Sequence, residues 1–86
     1  MYTKEVLVGC ASGLHNKQAT YFVQKANEFE SSIWLESDNR KTNAKSLLGI
    51  MSLGISNGAK VTLIASGSDE EAAVAALEQL LQRDVF

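Results

Sequence analysis

Hydrophobic positions along this chain switch repeatedly between a two-residue rhythm and a helical one. From Lys4 to Val8, Val6 and Val8 share one face, as in a half-buried strand. Gly9 to Gly13 reads as a loop. From Asn16 to Phe29, apolar residues fall at Ala19, Phe22, Val23, Ala26 and Phe29, spacings that mark one buried stripe of a helix. Ser32 to Ser37 alternates again, with Ile33 and Leu35 opposing Trp34 and Glu36. Asp38-Asn39 suits a tight turn into a short strand, Arg40 to Asn43. Ser46 then precedes the apolar run Leu47, Leu48, Ile50, Met51 and Leu53. Serine is a favoured N-cap, because its oxygen accepts a backbone N–H that the helix leaves unpaired. Gly54 or Gly58 is placed to end that short helix. Lys60 to Ser66 alternates with Val61, Leu63 and Ala65 inward. Ser68 followed by Glu71 has the spacing of a capping box, opening a helix with Ala73, Val74, Leu77, Leu80 and Leu81 on one face.

The order is therefore β-α-β-β-α-β-α, an α+β arrangement. Strands that alternate apolar and polar residues have one covered and one open face, and the helices should all pack on the covered one. The chain lacks proline, so no helix breaker contradicts these assignments. Its 86 residues make one domain, 1–86, with room for a single two-layer core.

Charge and composition narrow the function classes. A net charge of −2 leaves no basic excess to follow a phosphate backbone, so direct nucleic-acid binding is not expected. No apolar run approaches the roughly 20 residues of a membrane span. The start, with Lys4 and Glu5 before a few apolar residues, is too short and acidic for a secretory signal, so the cytoplasm is expected. The single cysteine, Cys10, excludes an internal disulfide and reads as a small buried hydrophobe. No metal-ligand spacing, nucleotide loop or Ser/His/Asp set is present, so neither a metal nor a cofactor is expected.

Two polar residues stand at helix starts. His15, the chain's only histidine, follows Ser12-Gly13-Leu14 where the first helix begins. A helix N-terminus presents free N–H groups and positive potential, which hold an anion such as a phosphoryl group and favour a neutral, nucleophilic imidazole. Lys17 adds a positive charge in the first turn. By spacing alone, a solvated surface histidine explains the same pattern. Ser46 is by spacing a structural cap; phosphorylated, it would place a dianion at a helix N-terminus. The Leu47, Leu48, Ile50, Met51 and Leu53 cluster has no polar side. Either part of it is exposed as a docking patch, or the loop after Gly54 covers it.

Together these features resemble the HPr family of the bacterial sugar phosphotransferase system, over Lys4 to about Leu81. SGLHNKQAT, Ser12 to Thr20, is similar to the family's histidine loop. KTNAKSLLGIMSLGISNGAKVTL, Lys41 to Leu63, is similar to its serine region and is the most specific segment. ASGSDEEAAVAALEQL, Ala65 to Leu80, is similar to its closing strand and helix. The resemblance implies an open-faced β-sandwich: a four-stranded antiparallel sheet with three helices on one face. It implies a phosphocarrier, not an enzyme. His15 would accept a phosphoryl group on Nδ1 from enzyme I and pass it to sugar-specific enzyme IIA domains, with Lys17 stabilising the phosphate. It also implies that Ser46 is a regulatory site, modified by a serine kinase/phosphorylase, and that the modified protein is a corepressor for catabolite control protein A. Leu47, Leu48 and Met51 are the candidate docking residues for enzyme I if that cluster is exposed.

The histidine loop departs from the family's usual Gly-Leu/Ile-His-Ala-Arg-Pro. Asn16 stands for alanine, Lys17 for arginine and Gln18 for proline. Lysine offers a point charge where arginine offers a planar fork, and losing proline removes a φ-fixing residue from the first turn. The serine region shows no comparable change. That contrast frames an alternative reading, a catabolite-repression regulator acting mainly through phospho-Ser46 with weak or no transfer through His15. A third reading, from fold class alone, is a small ligand-binding or oligomerising domain.

Overall fold

The protein was analysed as a computed structural model that describes residues 1–11, 13–14 and 16–83. Among them the elements run β1 (Tyr2–Leu7), α1 (Asn16–Ala26), β2 (Ser32–Ser37), β3 (Arg40–Asn43), α2 (Leu47–Ser52), β4 (Lys60–Ser66) and α3 (Glu70–Gln82). The order is the one that the hydrophobic rhythm predicts. The strands form one sheet in the order β1-β4-β2-β3, and all its pairs are antiparallel. Strand β4 therefore lies between β1 and β2, which explains why Val61, Leu63 and Ala65 are all buried.

Alternation sets the two faces. Val6, Ile33, Leu35, Val61, Leu63 and Ala65 point into the core, where they meet Phe22 and Ala26 of α1, Ile50 of α2, and Val74, Leu77 and Leu81 of α3. Each fully buried aliphatic or aromatic side chain stabilises the fold by roughly 1.5–3 kcal/mol relative to exposure. The opposite face carries Trp34, half-buried, with the Lys41 ammonium 5.6 Å from its ring centroid. This is the open-faced α+β sandwich implied by the resemblance. Asp38 and Asn39 take φ of 52° and 64°, the two left-handed positions of a type I′ hairpin turn between β2 and β3.

Three expectations shift. The first strand is Tyr2–Leu7 rather than Lys4–Val8. Pairing with β4 continues to Tyr2 opposite Ala65, a long-range contact that the alternation of two valines does not reveal. Val8 is buried outside the strand, donating its N–H to the Ala59 carbonyl at 2.8 Å. Helix α1 stops at Ala26, three residues before Phe29, because Asn27 turns its side-chain amide back onto the Val23 carbonyl at 2.8 Å.

The capping box from Ser68 does not form. Asp69 is the N-cap of α3 and makes no side-chain cap bond within its own helix. Glu70 instead accepts from the Gly67 N–H at 3.0 Å. The Asp69 carboxylate faces away from α3 and receives the Glu30 and Ser31 N–H groups at 2.9 and 3.0 Å, and the Ser31 hydroxyl. It thereby staples the α1–β2 connection to the start of α3. The Ser31 hydroxyl bond, with the Glu30 N–H behind it, lowers the Asp69 pKa from the ordinary aspartate value. A lowered folded-state pKa stabilises the fold above the unfolded aspartate range and loses that contribution as pH falls through the folded value. Asp69→Ala should therefore unfold at lower urea than the parent at pH 7, and the gap should narrow as pH falls below the ordinary aspartate value. Urea midpoints for both proteins across that range test this; a gap independent of pH would remove the carboxylate from the explanation.

Candidate functional site

His15 lies outside the described residues, but the chain on both sides of it is pinned. Gly9 and Cys10 donate their N–H groups to one acceptor, the Leu81 carbonyl in the last turn of α3, at 2.8 and 3.3 Å. The Cys10 carbonyl receives the Gly13 N–H at 3.0 Å, closing a turn. The Leu14 N–H then bonds the Ile55 carbonyl at 3.0 Å, and the Leu14 side chain is buried. Gly13 is required here on two grounds. Its φ is +69°, and a Cβ would meet the Ile55 carbonyl and the Ser56 backbone. Cys10 is fully buried, as its reading as a small hydrophobe anticipates.

On the far side of position 15, α1 begins at Asn16. Lys17 is exposed in its first turn, and no acidic residue occupies that turn. Lys17 adds its positive charge to the positive end of the α1 dipole. Gln18 behaves differently from its polar character: its side chain is only 2% exposed. It donates from Nε2 towards the Leu80 and Arg83 carbonyls at 3.4 and 3.5 Å. The helical stripe had a signal for this, because Gln18 precedes Phe22 by four residues and shares its face. Polarity hid the residue from a reading based on apolar spacing.

Ser46 caps α2 as its spacing predicts. Its backbone is extended, at φ −108° and ψ 114°, and its Oγ accepts the Gly49 N–H at 3.2 Å. The connection from β3 is held from below: the Lys45 N–H donates to the Asn43 side chain at 2.8 Å, and the Lys45 ammonium donates to the Phe29 carbonyl at 2.7 Å. Gly49 allows α2 to lie close to β3, since a Cβ there would strike the Thr42 hydroxyl. At the other end, Gly54 takes φ +60° after the C-cap Leu53, whose carbonyl receives the Arg40 guanidinium at 3.0 Å.

Helix α2 resolves the question of its apolar cluster. Ile50 and Leu53 face the core, while Leu47, Leu48 and Met51 are 39%, 82% and 43% exposed. The loop after Gly54 does not cover them. Helices α1 and α2 pack against each other, and the Leu14–Ile55 bond ties the segment before His15 to the segment leaving α2. The structure thus brings the flanks of the histidine loop and the serine helix to neighbouring elements. Among the described residues no cluster of three His, Cys, Asp or Glu side chains is placed to hold a metal, and no helix is long and apolar enough to cross a membrane.

Known proteins share this arrangement. The family model described as "PTS HPr component phosphorylation site" matches residues 2–83. The HPr-like protein Crh of Bacillus subtilis is 46% identical over 85 residues, covering 99% of this chain and all of that protein. The structure of the phosphocarrier protein HPr from Bacillus anthracis superposes with a TM-score of 0.93 at 43% identity, covering 94% of this chain and 96% of that one. The crystal structure of the Bacillus subtilis catabolite repression protein Crh superposes with a TM-score of 0.76 at 46% identity, covering 95% and 94% of the two chains. With a family model spanning nearly the whole chain and relatives matched end to end, this chain belongs to the HPr family.

Proposed function

We propose that this chain is a cytoplasmic phosphocarrier of the phosphoenolpyruvate-dependent sugar phosphotransferase system, and that phosphorylation of Ser46 regulates it. In this reading His15 accepts a phosphoryl group from enzyme I and passes it to sugar-specific enzyme IIA domains. The observation that carries the reading is the pinned loop. A histidine whose flanking backbone is held by α3 and by Ile55, with the start of α1 and exposed Lys17 directly after it, suits transient custody of a phosphoryl group. The neutral imidazole attacks phosphorus as the bond to the donor breaks; the phosphoramidate formed is then attacked by the next acceptor, regenerating the imidazole. Lys17 and the positive end of the α1 dipole stabilise charge on the phosphoryl oxygens in both steps.

Ser46 supplies the control. A phosphoryl group on its Oγ adds about two negative charges beside exposed Leu47, Leu48 and Met51. If those residues dock enzyme I, a dianion among them raises the desolvation cost of docking and lowers the transfer rate. The same group attracts partners that offer arginine, as expected of catabolite control protein A binding the serine-modified form. The serine kinase/phosphorylase would set the ratio of the two forms.

A second reading has its own support. Full-length identity of 46% to Crh, with Asn16, Lys17 and Gln18 in place of the family's Ala-Arg-Pro, favours a regulator that acts mainly through phospho-Ser46. One paired experiment separates the two. Incubation with enzyme I and phosphoenolpyruvate should give an acid-labile phosphohistidine on His15, slowed in the phospho-Ser46 form, while binding to catabolite control protein A tightens in that form. No label on His15 beside a labelled control carrier would overturn the carrier reading in favour of the regulator. Transfer and repressor binding both unchanged by phospho-Ser46 would reduce Ser46 to a cap. Its capping role has a separate signature. Ser46→Ala should destabilise the protein by about 1 kcal/mol in urea unfolding, because the Gly49 N–H loses its partner.

A further inference from the structure

The carbonyls at the end of α3 have an unusual set of donors. A helix leaves its last four carbonyls without intrahelical partners, and α3 ends at Gln82. The Leu81 carbonyl receives Gly9 and Cys10 N–H, while the Leu80 and Arg83 carbonyls both lie within reach of the Gln18 Nε2. Gln18 is buried to 2% exposure, where protein acceptors such as these take the place of water. The segment carrying position 15 thus enters from one bond pair on α3 and leaves through a side chain hooked onto the same turn of α3. Proline, the family's residue at this position, could not make that hook, because it has no amide to donate.

We propose that Gln18 is a positioning residue for phosphoryl transfer: its amide anchors the first turn of α1 to the C-terminal turn of α3 and so holds the segment carrying His15 in its reactive placement. The inference rests on the carrier reading of His15. It assigns to one polar contact the rigidity that a φ-locked proline supplies by covalent means. It also makes the last turn of α3 part of the transfer machinery, because both ends of the histidine loop are referred to it.

Gln18→Met keeps an unbranched side chain of similar size and removes the donors. In the variant, kcat for transfer from enzyme I should fall about tenfold with KM for enzyme I unchanged, since reactant placement is lost but docking is not. The midpoint of the His15 ring titration, followed by NMR, should also move, and Gly9 and Cys10 amides should exchange faster. A lower melting temperature with kcat and the His15 titration both unchanged would overturn the proposal, leaving Gln18 only structural. The unsubstituted protein carries a second test that needs neither enzyme I nor a folded variant. Protonating its His15 should shift the Gln18 side-chain amide resonances; no shift would overturn the coupling. Absence of transfer in the unsubstituted protein, with that resonance coupling intact, would instead remove the carrier reading on which the inference rests.

Discussion

The carbonyl of Leu81 is the acceptor on which the candidate site depends. It lies in the last turn of α3 and takes the N–H groups of Gly9 and Cys10 together. Those two bonds turn the chain out of the sheet edge at β1 and towards the start of α1. They hold only if α3 is seated, and α3 is seated by Val74, Leu77 and Leu81 against the sheet. The sheet in turn closes only when β4 enters between β1 and β2. Gly9 and Cys10, near the N-terminus, are therefore held by the last strand and the last helix. In a domain this small, such backbone supports come from distant parts of the chain.

The other support comes from the opposite direction. The Leu14–Ile55 bond attaches the loop to the segment leaving α2, and Arg40 fixes that segment by capping the Leu53 carbonyl. Residues near 14 and residues near 46 are separated by two strands in the sequence but belong to packed helices in the fold. Under the proposed function, control at Ser46 of events at His15 would need no long-range conformational pathway. A charge added at the cap of α2 changes the surface that a partner must cover to reach the histidine loop.

Local patterns made most of this architecture legible in advance. Strands β2, β3 and β4 begin and end where the alternation begins and ends, and Asp38-Asn39 adopts the turn its chemistry favours. Ser46 caps α2 as its spacing indicates. The features that escaped depend on distant partners. Ser68 has capping-box spacing, yet Asp69 takes the cap position and spends its carboxylate on Glu30 and Ser31. Spacing within a helix cannot report a bond that crosses between elements. Gln18 escaped for a related reason: a polar residue on an apolar stripe looks exposed until its acceptors, the carbonyls at the end of α3, are known. The exposure of Leu47, Leu48 and Met51 was open from sequence because it depends on where the loop after Gly54 travels.

The proposed carrier function requires that His15 be used in a complete relay. The most direct measurement is sugar phosphorylation in a reconstituted chain of enzyme I, this protein and its sugar-specific components, with phosphoenolpyruvate as donor. The account predicts that sugar phosphate forms only when this protein is present and that His15→Ala abolishes it. Sugar phosphorylation no faster with this protein than without it, or equally fast with His15→Ala, would contradict the account.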